Sequence, residues 1–140
     1  MRGHAQIAVL IVAIAAATSA CSSKDKDVVE ANKFPADYKG EIVATLRKLF
    51  EQSETVKVSG AFVSEPALTK LGKDQRYIVC VRYTGHGLNP GEIGKATRVG
   101  FFYGGHLNQL IPANEGQCDK AAYKPFPELN AFCIGRGCRE

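Results

Sequence analysis

Five cysteines are the side chains best equipped for chemistry in this 140-residue chain: Cys21, Cys80, Cys118, Cys133 and Cys138. A thiol can attack a carbonyl, bind a metal, close a disulfide or carry lipid, and its spacing and compartment decide which. Cys133 and Cys138 enclose Gly135 and Gly137, which permit the turn that brings two Cα atoms within about 4.4–6.8 Å of each other. The same spacing nearly suits a zinc pair, but Cys80 and Cys118 are isolated singletons, not a second close pair. Beyond residue 20 the histidines are His86 and His106. His86 stands in Gly85-His86-Gly87-Leu88-Asn89-Pro90-Gly91, which lacks the G-x-G-x-x-G spacing of a phosphate loop and is not followed by a helix start. Asn89-Pro90-Gly91 instead has the residues of a turn. His106 opens a strand after Gly104-Gly105, and no motif joins the two histidines. Glu65, Glu92 and Glu115 sit in turn-like contexts, and neither G-x-S-x-G nor H-E-x-x-H occurs. No catalytic constellation, metal site or cofactor site is therefore expected.

The first twenty residues explain the cysteine that stands apart. Arg2 supplies a positive start, residues 5–20 carry no charge, and Ala17-Thr18-Ser19-Ala20 is a small-residue exit. That is the layout of a secretory signal peptide. It is short for a spanning helix, which needs about 20 apolar residues, and it runs straight into Ser22-Ser23-Lys24-Asp25-Lys26-Asp27. Thr18-Ser19-Ala20-Cys21 resembles the lipobox of bacterial lipoproteins, with Thr18 where that family favours Leu. The resemblance implies a diacylglyceryl group on the Cys21 sulfur, cleavage before Cys21 and acylation of the new amino terminus. Each buried CH₂ adds roughly 0.8 kcal/mol to membrane affinity, and several chains make attachment stable. Thr18-Ser19-Ala20 also fits ordinary cleavage after Ala20. Ser22 after the cysteine points, by resemblance to enterobacterial sorting, to the outer membrane over the inner.

Cysteine parity bears on the same point. An odd count in an exported chain leaves one thiol over. If lipid takes Cys21, four remain, as expected of two disulfides in an oxidising periplasm. Four cysteines allow three pairings; the reading favoured here joins Cys80 to Cys118 and Cys133 to Cys138. Removing residues 1–20 takes away Arg2 and no acid, so the formal charge falls from +4 to +3. Signs are interspersed and no concentrated basic patch appears, so a nucleic-acid partner is not expected. A modest attraction to anionic envelope surfaces is compatible with the charge.

These residues need a scaffold. Residues 21–34 are polar and short of large apolar side chains, reading as the lipidated terminus and a flexible tether. A single domain is expected over 35–140. Tyr38, Ile42, Leu46, Leu49 and Phe50 recur at helical spacing, predicting an amphipathic helix over 37–52 with Asp37 as N-cap and Gly40 weakening its first turn. Strands are expected over 56–63, 77–83, 98–103 and 106–111, with Gly104-Gly105 as a two-residue hairpin turn. In the second strand Tyr77, Val79, Val81 and Tyr83 alternate with Ile78, Cys80 and Arg82. From Gln117 on, the chain reads as irregular and held by its cysteines. The fold expected is α+β: one N-terminal amphipathic helix packed on a four-stranded antiparallel meander, with a disulfide-stapled C-terminal segment.

Tyr123-Lys124-Pro125-Phe126-Pro127-Glu128-Leu129 carries two prolines around an aromatic, which favours extended geometry. Tyr123, Phe126 and Leu129 either strap the core or offer a surface to a protein partner. Residues 38–66, 77–82 and 118–129 together resemble a family of small, uncharacterised proteobacterial lipoproteins. The resemblance implies an envelope lipoprotein and carries no active-site residues. The expected function is a non-enzymatic binding or structural module, lipid-anchored and facing the periplasm, with an envelope protein as partner. The alternatives are an inhibitor of an envelope hydrolase, or a small-ligand or metal-binding periplasmic protein.

Overall fold

The structure, a computed structural model, describes residues 32–52, 55–87, 94–135 and 138. The expectations for the signal segment 1–20, for Cys21 and most of the tether, and for Asn89-Pro90-Gly91 and Glu92 lie outside the described residues.

Helix α1 (Tyr38–Phe50) is the first element among the described residues, well inside the chain and not at its N-terminus. Its Ile42, Leu46 and Phe50 are buried. This i, i+4, i+8 row faces the sheet, whereas Leu49 sits on the flank of the stripe and is 42% exposed. Asp37 flanks the helix without a side-chain capping bond. Its carboxylate instead folds over the Gly40 Cα, 2.6 Å from where a Cβ would stand. Gly40 therefore makes room for Asp37.

Among the described residues seven strands follow, not four: β1 (Thr55–Ser64), β2 (Ala67–Leu71), β3 (Asp74–Gly87), β4 (Lys95–Tyr103), β5 (His106–Pro112), β6 (Tyr123–Pro125) and β7 (Cys133–Gly135), with a short helix α2 (Pro127–Asn130) between the last two. All pairings are antiparallel, in the order β5-β4-β3-β1-β6. The extra strands come from two broken lines rather than a wider sheet. β1 and β2 lie end to end along β3, with Val63 opposite Val81 and Ala67 opposite Ile78. Pro66 has no N–H to give the ladder, which divides the line there. β7 and β6 lie end to end along the other edge of β1, pairing with residues 55–57 and 62–64. The segment expected to be irregular is thus partly sheet.

A bulge between Ser59 and Phe62 makes room for α2. Gly60 supplies the positive φ of 56°, a conformation costly for other residues. The Ala61 N–H, displaced from the ladder, donates to Asn130 Oδ1 at 2.7 Å, and Ala61 O accepts from Phe126 N at 2.9 Å. Gly104 and Gly105 both have positive φ, 59° and 85°, and form the expected tight turn between β4 and β5.

The inner face of the sheet holds the main core. Ile42, Leu46 and Phe50 of α1 meet Val56, Val58 and Val63 of β1, Val79, Val81 and Tyr83 of β3, and Phe102 of β4. Phe126, Leu129 and Phe132 close the same core from the C-terminal segment. The Phe50 ring packs edge-on to Tyr83 at 5.9 Å and tilted against Phe132 at 5.6 Å. Among the described residues no helix is long and apolar enough to cross a membrane.

Candidate functional site

Pro66 shapes the outer face as well as the topology. Where it breaks the strand line, the Cys80 N–H donates to Ser64 Oγ at 2.9 Å, and that hydroxyl donates to the Glu65 carbonyl at 3.1 Å. The buried serine thereby replaces a missing ladder bond. Cys80 belongs to the outer row of β3, and its sulfur is bonded to Cys118, with Cα atoms 5.8 Å apart. This bond pins the segment after β5 over the outer face. The segment is a chain of turns, with Ala113 N donating to Thr97 O, Gln117 N to Asn114 O and Ala121 N to Cys118 O. Beneath it lies a small second core of Cys80, Val99 and Cys118, flanked by Ile78, Phe101, Ala121 and Tyr123.

The turns stand away from β2, whose outer edge they do not pair. The result is a hollow of about 410 Å³, lined by Glu65, Pro66, Ile78, Gln117, Lys120 and Ala121 among others. Beside it Lys124 pairs with Glu65, and each partner favours the other's charged form. The hydrogen bond and charge of Lys124 lower the Glu65 pKa, and Glu65 raises that of Lys124. Arg82 lies 3.6 Å from the centroid of the Tyr123 ring, whose hydroxyl donates to Cys118 O at 3.2 Å. Partial burial pushes the Tyr123 phenol up, and the Arg82 charge opposes it.

A second hollow of about 320 Å³ continues along the same face, lined by Leu71, Asp74, Arg76, Phe101, Gln109 and Ile111. Arg76 sits 5.2 Å from the Tyr103 ring centroid. Phe62, Tyr103 and Ile111 are 39%, 43% and 42% exposed. Apolar floor, accessible aromatics and arginines held over rings suit noncovalent recognition of a partner.

The sequence-predicted residues divide clearly. Cys80 pairs with Cys118 and Cys133 with Cys138, the favoured connectivity, so these four sulfurs are not metal thiolates in this oxidised state. Phe126 and Leu129 are fully buried and Tyr123 is half-buried. Of the two readings of Tyr123, Phe126 and Leu129, the burial of Phe126 and Leu129 fits the strap and leaves neither ring nor leucine for a partner surface. β6 pairing turns Tyr123 and Pro125 outward, and α2 turns Phe126 and Leu129 into the core. Arg82 was placed on the right strand face without a role, whereas Ser64, Lys120 and Arg76 were missed; only the alternation of β3, extended by two residues, could have marked Arg76.

The histidines occupy separate places. His86 belongs to β3 rather than to a loop, opposite Lys57, with Nε2 3.1 Å from Ser59 Oγ. This contact has the spacing of a nucleophile–base pair, but both side chains are exposed, and among the described residues no hydrogen bond orients the other ring nitrogen. His106 Nδ1 lies 2.9 Å from Glu41 Oε1, and the Leu107 N–H donates to Glu41 Oε2, tying α1 to β5. Among the described residues no three His, Cys, Asp or Glu side chains assemble as metal donors. Compared with known proteins, the chain matches no family model, no curated protein and no solved structure.

Proposed function

We propose that this chain is a lipid-anchored envelope protein whose folded domain is a non-enzymatic binding module, with the outer sheet face as its binding surface. One observation carries the reading. The inner face is closed by α1 and the strap, whereas the outer face keeps two adjoining hollows with apolar floors and arginines over aromatic rings. Two disulfides support an oxidising compartment. The lipobox-like segment and the fifth cysteine support export and anchoring through Cys21. Periplasmic orientation, and the outer membrane over the inner, follow from the same segment.

The test uses crosslinking and affinity purification of the full protein from its native envelope, with Ala121→Arg to fill the first hollow and Leu49→Arg, on the flank of α1 across the sheet, as control. A partner recovered with the parent and the control but lost with Ala121→Arg supports the reading. Equal recovery with all three would place binding elsewhere and refute it. Mass spectrometry of the mature terminus should find acylated Cys21; an unmodified cysteine removes the anchor.

A further inference from the structure

We propose that the end of the sheet where residues 32–36 enter the domain is a membrane-apposed surface that rests on an anionic lipid bilayer. This deepens the anchored-protein reading by naming the side chains that meet the headgroups.

The topology gathers this end. Leu71 faces Asp74 and Tyr77 faces Phe102, so the tip at Gly72-Lys73 and the tip at Gly104-Gly105 lie at the same end of the sheet. The entering chain runs against the second tip: Lys33 Cδ lies 3.3 Å and the Phe34 carbonyl oxygen 3.5 Å from where a Gly105 Cβ would sit. Phe34 meets the Tyr77 ring edge-on at 5.4 Å and is still 53% exposed. Leu68, opposite Tyr77 in register, is 46% exposed, and Tyr103 at the end of β4 is 43% exposed. Among the described residues, half of the exposed large apolar side chains are thus collected here, the other three being Leu49, Phe62 and Ile111.

The charge at this end is mostly positive. Lys33, Lys70 and Lys73 are exposed, and Arg76 stands beside Tyr103. Of the neighbouring acids, Glu41 is engaged by His106 and the Leu107 N–H, leaving Asp37 and Asp74 against four cations. Exposed aromatic and leucine side chains ringed by lysines suit the headgroup boundary, where rings enter and ammonium groups meet anionic lipid. The occupant is argued from the chain itself. Cys21 precedes Phe34 by thirteen residues, a span of at most about 45 Å when fully extended. An anchor at Cys21 therefore keeps this end, the first of the folded domain, within that distance of the bilayer.

The chain contains no tryptophan, so Phe34→Trp creates a single reporter. The full mature protein carrying Phe34→Trp is reconstituted into vesicles of phosphatidylethanolamine with phosphatidylglycerol, and into phosphatidylcholine vesicles, both with brominated acyl chains. Blue-shifted, quenched emission is expected in the phosphatidylglycerol vesicles. Adding Lys33→Glu, Lys70→Glu and Lys73→Glu, all exposed positions, should weaken the quenching about tenfold or more, with an unchanged far-ultraviolet spectrum. Phe62→Trp, on the outer face, should stay unquenched. Unquenched Phe34→Trp in both vesicles, or quenching indifferent to the charge reversals, overturns the surface; so does a protein crosslinked at this end without quenching. Intact mass on the same preparation separates the two readings. Acylated Cys21 with an unquenched reporter leaves the anchor and removes the surface. Unmodified Cys21 with charge-dependent quenching does the reverse.

Discussion

The two faces of the sheet are made from alternate residues of the same strands, yet they are finished by different means. On the inner face, Val79, Val81 and Tyr83 are covered by α1 and by the strap of Phe126, Leu129 and Phe132, and burial is nearly complete. On the outer face, Ile78 and Cys80 are covered only by a run of turns held through Cys118. A hydrophobic core needs no crosslink when a whole helix can be laid on it. A cover of turns has too little apolar surface to hold itself down, so a covalent bond does that work and leaves hollows beside it. Stability is expected to reside on the inner face and recognition on the outer.

The sharpest challenge to this comparison is Phe126→Ala against Phe62→Ala. The first should lower stability by about 3–5 kcal/mol through loss of buried area and a residual cavity; the second should stay within about 0.5 kcal/mol. Urea denaturation midpoints measure both, and equal effects would abolish the distinction between the faces. Next is the removal of the outer staple. The Cys80→Ser, Cys118→Ser variant should lose about 2–4 kcal/mol, and removing the Cys133–Cys138 bond about 2 kcal/mol or less, because its loop is far shorter. A larger loss from the shorter loop would contradict the chain-entropy account.

Smaller effects refine the joins. Asn130→Ala leaves the Ala61 N–H at the bulge without its acceptor and should cost about 1–3 kcal/mol, with faster amide exchange at Ala61. Ser64→Ala does the same to the Cys80 N–H on the outer side. The smallest effect concerns Glu65 and Lys124, both exposed. The lowered Glu65 pKa means its contribution is present above the usual carboxyl value and fades as pH falls through the lowered one. The raised Lys124 pKa means the converse: its part is present below the usual ammonium value and fades as pH rises through the raised one. Lys124→Met should move the Glu65 carboxyl up to its ordinary range in a carbon-13 NMR titration, with almost no change in stability.

Legibility followed length and periodicity. The two faces of β3 could be read directly, since seven residues alternate without a break. The helix was readable for the same reason, except that Leu49 falls on the flank of the stripe, where neighbour packing decides exposure. β2 was hidden behind Pro66, which marks an end in sequence although the line of the sheet continues past it. β6 and β7 have three residues each, too few for any period to register, and they form because β1 has a free edge to pair. Phe126 and Leu129 carry no local sign of direction; the bulge at Gly60 and the placement of α2 turn them inward. Of the outer face, only the Ile78, Cys80, Arg82 row was visible beforehand.

By itself the amino-acid sequence determined the amphipathic helix, the Gly104-Gly105 turn and the alternating strands that imply an α+β class, because each depends on spacing within a short stretch; among three cysteine pairings it only favoured the one found. Its reading of export and of a lipid on Cys21 rests on the same kind of local pattern. The tertiary structure alone decided that broken strand lines share an edge, that the proline-rich segment is core rather than surface, and that the outer face keeps its hollows. Those outcomes depend on contacts between residues such as Ala61 and Asn130, 69 positions apart. No local propensity encodes which distant edge, donor or cavity a segment will find.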